Sequence, residues 1–405
     1  MPSMKTLRKI STLLCAVILL SLTTLSTAAT PNGAQLPAAA SAIQDYPFAA
    51  PDESLALECQ SAVLMDAASG AILYMQNAEQ ALPPASVTKI MTLLLVMEEI
   101  ERGTLQWNDP ISVSETAAGM GGSQVFLEVG EVMSCEDMIK SVVISSANDA
   151  AVALAEHVAG SLEAFVQRMN ERANALGMQN THFENATGLD DTAQNHMCSA
   201  MDIAIMSRAL ISHSKILEYS SIWMDTIRNG TFGLTNTNRL VRFYRGATGL
   251  KTGSTSKAGF CVSATACRDD LSLICVIMGA ETRDIRNAQA AKLLDWGFAN
   301  YARYTAPAKE VSPIRVCGGE MDTCKLQSEA FSCVVPKNRL SEISVNVEMP
   351  SSTSAPIKAK QNVGKQIYSL GEHTLGESPI VALENVDRIS FLTLWRRMLA
   401  TILLR

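Results

Sequence analysis

No Cys-x-x-Cys pair occurs among the ten cysteines (Cys15, Cys59, Cys135, Cys198, Cys261, Cys267, Cys275, Cys317, Cys324 and Cys333), so the spacing used by zinc and thiol-redox sites is missing. A basic surplus is also missing. The 33 Lys+Arg stand against 40 Asp+Glu, a formal charge of −7, which offers nucleic acid no broad cationic face. The five histidines (His157, His182, His196, His213 and His373) show no triad-like context. There is no internal repeat and no long low-complexity run. What remains is an ordinary globular composition, 47% hydrophobic and 18% charged, over 405 residues. That length suits two or three domains and a sizeable core.

The ends differ from the body. Lys5, Arg8 and Lys9 precede an apolar stretch, Ile10 to Leu25, and then Ser26-Thr27-Ala28-Ala29. This is the order of an export signal over residues 1–29, cleaved near Ala28 or Ala29; roughly 16 apolar residues are short for spanning a bilayer. Export permits disulfides without assigning them, and most of the cysteines read as small buried apolar residues. Residues 30–52, rich in Ala and Pro, read as a linker. At the other end, residues 387–405 carry Arg388, Arg396, Arg397 and Arg405 and, from Arg388 on, no acid. There Phe391, Leu392, Trp395, Met398, Leu399 and Ile402 recur at helical spacing, the pattern of an amphipathic helix lying in a membrane interface.

Between them, residues 53–304 mix strands and helices, and residues 305–386 read as a small all-β module. Ser61–Met65 and Ala71–Met75 flank a turn, and a helix is expected from Ser86 to Glu101. Ser134 and Ser199 open capping boxes. Leu162, Phe165, Val166, Met169, Ala173 and Leu176 share one helical face, stopped by Gly177. Gly259–Cys267 and Leu271–Gly279 form a hairpin split by Arg268-Asp269-Asp270, and a last helix covers Asn287–Asn300. In the β module, strands are expected at Val311–Cys317, Phe331–Val335, Ile343–Glu348, Pro356–Lys360, Lys365–Ser369 and Ile380–Ala382.

Three short motifs carry chemistry: Ser86-Val87-Thr88-Lys89, Ser146-Ala147-Asn148 and Lys251-Thr252-Gly253. Each alone is weak, since S-x-x-K is common and Lys-Thr-Gly is often a turn. Together they are coherent. Serine and lysine three apart at a helix start share a face. A serine hydroxyl becomes a nucleophile when a neighbouring base takes its proton, and lysine is such a base only if burial or a second cation lowers its pKa. Lys251 is the candidate second cation. The Ser86 amide, near a helix N-terminus, is an available oxyanion donor.

These motifs, in the stretches Pro84-Ala85-Ser86-Val87-Thr88-Lys89, Ser145-Ser146-Ala147-Asn148-Asp149-Ala150 and Thr248-Gly249-Leu250-Lys251-Thr252-Gly253-Ser254, resemble the low-molecular-mass penicillin-binding proteins of the serine D-alanyl-D-alanine carboxypeptidase type. The resemblance covers about residues 55–385. It implies an α/β (α+β) β-lactamase/transpeptidase-like fold, helices on an antiparallel sheet, with the motifs meeting in a cleft, a C-terminal β domain and an amphipathic tail on the outer face of the cytoplasmic membrane. It further implies Ser86 as acyl-ester nucleophile, Lys89 as general base, Ser146 as proton relay, and Asn148 holding Lys89 and the substrate backbone. Lys251, Thr252, Gly253 and Ser254 bind substrate, and the segment Met278–Arg286 places the carboxylate-binding role on Arg286, with Arg283 its rival. The implied substrate is a peptidoglycan stem ending in D-Ala-D-Ala, with β-lactams as covalent inhibitors and no cofactor or metal. Two departures stand out. Ser254 is found where some members carry His, and Thr187, in Asn185-Ala186-Thr187-Gly188-Leu189, replaces a common His. A class A-like serine β-lactamase would need a Glu-x-x-x-Asn loop, whereas Glu184 adjoins Asn185. A non-catalytic β-lactam sensor or cell-wall-binding protein is the other alternative.

Overall fold

A computed structural model describes residues 47–48, 55–189 and 193–403; the expected export signal and nearly all of the linker lie outside them. The first hairpin joins β1 (Ser61–Asp66) to β2 (Ile72–Gln76) through a turn in which the Asp66 carboxylate accepts from Ser69 N at 2.7 Å. Far along the chain come β3 (Ala247–Thr255), β4 (Gly259–Arg268) and β5 (Leu271–Ala280). The five strands form one antiparallel sheet in the order β2-β1-β5-β4-β3.

This sheet is covered on both faces, which explains why its central strands read as continuous apolar runs rather than alternating ones. On β5, Ile274, Val276 and Met278 enter the larger core, while Leu273, Cys275 and Ile277 enter the smaller one. The helices α1 (Lys89–Arg102), α2 (Cys135–Ser145), α3 (Asn148–Ala159), α4 (Leu162–Ala175) and α5 (Ala200–Ile211) contribute to the larger core. A single helix, α6 (Arg283–Asn300), covers the other face with Ala290, Leu293, Leu294 and Phe298 at helical spacing. Gly297 lets it lie close, since a Cβ there would sit 2.6 Å from Leu64 and 2.8 Å from Leu273.

Local chemistry sets the element ends. Ser134 and Ser199 cap α2 and α5 as expected, accepting from Asp137 N and Asp202 N, and Ser161 and Thr282 do the same for α4 and α6. Each such cap is worth about 1 kcal/mol. The Thr282 cap starts α6 at Arg283, four residues earlier than the periodicity suggested, and so places Arg286 in the helix's first turn. Between β4 and β5 a two-residue turn, Asp269-Asp270, has both φ positive (50° and 62°), the primed-turn backbone that fits strand twist.

The C-terminal strands are β6 (Tyr301–Ala306), β7 (Lys309–Cys317), β8 (Thr323–Ser328), β9 (Phe331–Pro336), β10 (Ile343–Glu348), β11 (Ser352–Ser354), β12 (Asn362–Leu370) and β13 (His373–Ala382). Six of them form a sheet ordered β10-β12-β13-β8-β7-β11, and β6 pairs with β9. Pro356–Lys360 is not a strand: Ile357 makes an isolated bridge to Val386, and a turn follows. Thr323–Ser328 is a strand that the sequence reading passed over, and the expected Ile380–Ala382 is the end of a ten-residue strand. Last comes α7 (Phe391–Leu403), whose Phe391, Leu392, Trp395, Met398 and Ile402 are exposed. Among the described residues no helix is long and apolar enough to cross a membrane. The nine cysteines in the described residues are free, five of them buried.

Candidate active site

Ser86 lies in a single 3₁₀ turn, Ala85–Thr88, that runs directly into α1. In a 3₁₀ turn residues i and i+3 eclipse each other, so Lys89 stands over Ser86. Its Nζ is 2.8 Å from Ser86 Oγ and donates to Thr187 O at 2.9 Å. The lysine is completely buried.

The second motif caps two helices. Ser146 ends α2 in the left-handed region (φ 62°, ψ 29°), and α3 begins at Asn148. This bend turns Ser146 Oγ toward β3, where Lys251 Nζ donates to it at 2.8 Å and to Thr252 O at 2.8 Å. Asn148 Nδ2 donates to Gly121 O at 2.6 Å, and its Oδ1 is buried without a partner among the described residues. The expected Asn148–Lys89 contact is therefore replaced: Lys89 leans on the Thr187 carbonyl and Asn148 on a glycine-rich loop.

The third motif is on a strand rather than in a turn. Lys251, Thr252 and Gly253 sit on β3, the edge strand of the sheet. A Cβ at Gly253 would lie 2.8 Å from Ser86 N, 2.9 Å from Pro84 O and 2.9 Å from Val87 N, so only glycine lets the strand touch the serine turn. Ser254, the next residue, is exposed at the mouth. Arg286 is 3% exposed, with Nε and Nη2 donating to Asn287 Oδ1 at 3.1 and 2.9 Å, and among the described residues no carboxylate forms an ion pair with it.

Ser86, Ser146, Thr252, Gly253, Ser254 and Arg286 line one groove of about 640 Å³. Lys89, Lys251 and Asn148 stand behind its wall. Burial, followed by the charge of Lys251, holds the Lys89 pKa well below the usual lysine range, against an opposing pull from Asp149. Burial and then Arg286 lower Lys251 to about 7, and burial and then Arg283 lower Arg286 to about 10. The groove is thus a cationic pocket holding an amine that gives up its proton readily.

The structure adds residues that no motif marked. Ser123, Trp223, Thr237, Arg239 and Phe243 also line the groove, as does Arg283. Ser123 follows Gly119, Gly121 and Gly122, and that glycine cluster between helical segments is the signal that could have found it. His196 packs behind α1: Nδ1 accepts from Glu184 N at 3.0 Å, so Nε2 carries the proton donated to Thr88 Oγ1 at 2.7 Å. The Glu184 carboxylate accepts from Gln194 N at 2.8 Å on the surface, and among the described residues no Asp or Glu lines the groove.

Comparison with known proteins agrees with this geometry. Residues 48–282 match the model of the D-alanyl-D-alanine carboxypeptidase family, and residues 305–388 match that of the penicillin-binding protein 5 C-terminal domain. The chain is 40% identical to the D-alanyl-D-alanine carboxypeptidase DacF of Bacillus subtilis over 350 residues, 85% of this chain and 90% of the relative. Among solved structures, penicillin-binding protein 5 from Haemophilus influenzae is 33% identical with a TM-score of 0.70, covering 82% of this chain and 98% of that one. Penicillin-binding protein D2 from Listeria monocytogenes, solved in an ampicillin-bound form, is 32% identical with a TM-score of 0.55, covering 60% of this chain and 98% of its own. A groove-lining serine paired with a buried lysine and facing a cationic strand edge, on this sheet and with this β module, makes the chain a member of the D-alanyl-D-alanine carboxypeptidase family.

Proposed function

We propose that the protein removes the terminal D-alanine from peptidoglycan pentapeptide stems by a serine mechanism centred on Ser86. Lys89, uncharged, takes the Ser86 proton as Oγ bonds to the carbonyl carbon of the penultimate D-alanine. The resulting oxyanion lies against the amides of Ser86 and Ser254, where loss of one donor typically costs about 3 kcal/mol. Ser146, bonded to Lys251, relays to the departing amine the proton that Lys89 took, as the C–N bond breaks. Water then cleaves the ester and restores the hydroxyl. Lys251, Thr252 and Arg286 hold the terminal carboxylate, with Arg286 offering a planar fork, and Gly253 keeps the floor of the groove bare. Asn148 steadies the substrate backbone.

The observation that carries this reading is the 2.8 Å approach of a fully buried, low-pKa Lys89 to Ser86 Oγ. The ampicillin-bound relative supports β-lactams as covalent inhibitors here too. Ser86→Ala is expected to abolish labelling by a fluorescent penicillin and D-alanine release from a pentapeptide while leaving the thermal melt intact. Retained labelling moves the nucleophile elsewhere. For the wild type, rapid penicillin hydrolysis points instead to a lactamase, and stoichiometric acylation without D-alanine release to a sensor.

The same reading divides the chain into an export signal (1–29), a linker (30–52), a catalytic domain (53–304), a β domain (305–386) and a membrane-anchor helix (387–405). It places the enzyme outside the cytoplasm, peripheral on the membrane beside the cell wall. The exposed apolar face of α7 supports the anchor.

A further inference from the structure

Between Ala118 and Val132 the chain has no helix or strand, yet it borders the groove through Ser123. Four glycines (Gly119, Gly121, Gly122 and Gly130) make this segment intrinsically loose. It is held from two sides. On one side α3 takes its inward groups: Asn148 N donates to Ser123 O at 2.7 Å, and the buried Asp149 carboxylate accepts from Val125 N at 3.0 Å and Leu127 N at 3.1 Å. On the other side the carbonyls of Val125 and Phe126 accept from Arg228 Nη1 at 2.8 Å and Nη2 at 3.1 Å.

Arg228 belongs to no motif. It begins the turn of a small hairpin, Met224–Ile227 paired with Phe232–Thr235. Its own position is fixed by Glu131, which it meets at 2.7 and 3.0 Å, and by the Phe232 ring 5.3 Å below the guanidinium. Phe126, between the two anchor points, has φ +55°, a backbone state that costs a non-glycine residue roughly 1–2 kcal/mol and persists only where its surroundings enforce it.

We propose that Arg228 is a positioning residue of the active site, holding the Gly121–Leu127 segment against α3 so that Ser123 keeps its place in the groove and Asn148 its place behind the wall. Glu131 serves as its bracket. The inference rests on the reading that Asn148 acts with Ser86. Without the two carbonyl anchors, the glycine-rich segment swings out and Asn148 loses its Gly121 and Ser123 contacts, which displaces its amide by a fraction of an ångström. A misplacement of about 1 Å near a reacting centre costs on the order of 100-fold in rate.

The test uses the full-length enzyme and its Arg228→Ala and Arg228→Lys variants, each studied well below its own Tm. Arg228→Ala is expected to lower kcat for D-alanine release by roughly 10- to 100-fold with KM within about threefold, and to slow acylation by a fluorescent penicillin in parallel. Arg228→Lys, with a charge but no fork, recovers part of both rates. The inference is overturned by a kcat within about twofold of wild type, by a loss confined to KM, or by a loss that merely follows the unfolded fraction. If the wild type released no D-alanine, the carboxypeptidase reading would fail, while the acylation rates would still decide the role of Arg228.

Discussion

Lys89 and Lys251, at 0% and 1% exposure, are both sealed from water within one charge network. The fold loses stability by keeping them. For Lys251, the folded pKa of about 7 lies below the ordinary lysine value of 10.5, so between these values the unfolded chain binds more protons and stability rises with pH. Below about pH 7 the full penalty applies. Lys251→Met is accordingly expected to raise Tm by several degrees at pH 6, with the gain shrinking toward pH 10, while D-alanine release is lost; calorimetry across that range reads the trend. The kinetic signs are opposite for the two lysines. In the proposed mechanism, activity is expected to rise with pH as Lys89 loses its proton, and kcat/KM to fall as Lys251 loses the charge assigned to the substrate carboxylate. An unchanged alkaline limb in a Lys251→Arg variant would remove Lys251 from that role.

At the scale of elements, the close contact of β3 with the serine turn is the most exacting feature. Gly253→Ala would push a methyl into three backbone atoms at 2.8–2.9 Å, none of which is a flexible side chain. Penicillin labelling should fall by at least 100-fold, with a stability loss of about 1–3 kcal/mol in urea titration. The Asp269-Asp270 turn offers the reverse case. Both residues have positive φ, so Asp270→Gly should stabilise by about 0.5–1 kcal/mol without touching activity. Much of this level was legible beforehand. The β1–β2 and β4–β5 hairpins, the Ser134 and Ser199 caps, and the α4 face all follow from local patterns. The β module was harder to read: Ile343–Glu348 alternates as a strand should and is one, but Thr323–Ser328 carries a single large apolar residue, Leu326, and Pro356–Lys360 has strand composition with only the isolated Ile357–Val386 bridge. The motif residues were visible because their chemistry is unusual in sequence. Thr237, Arg239 and Arg228 were not, since a threonine or arginine enters a groove only through tertiary packing that no short spacing encodes.

For the molecule as a whole, the β module sits directly after α6 and passes into α7, where Arg397 pairs with Asp322 at 3.4 Å. Deleting residues 388–405 is expected to move the exported protein from the membrane to the soluble fraction while D-alanine release from a free pentapeptide persists. Persistent membrane binding would place the anchor elsewhere. The bare main-chain contact at Gly253 has a consequence for selectivity. With no side chain between β3 and the serine turn, the span that the proposed mechanism needs from attacking oxygen to anion clamp is set by two backbones at their closest approach. A ligand lengthened by one methylene between its scissile carbonyl and its terminal carboxylate would reach one end of that span only by letting go of the other.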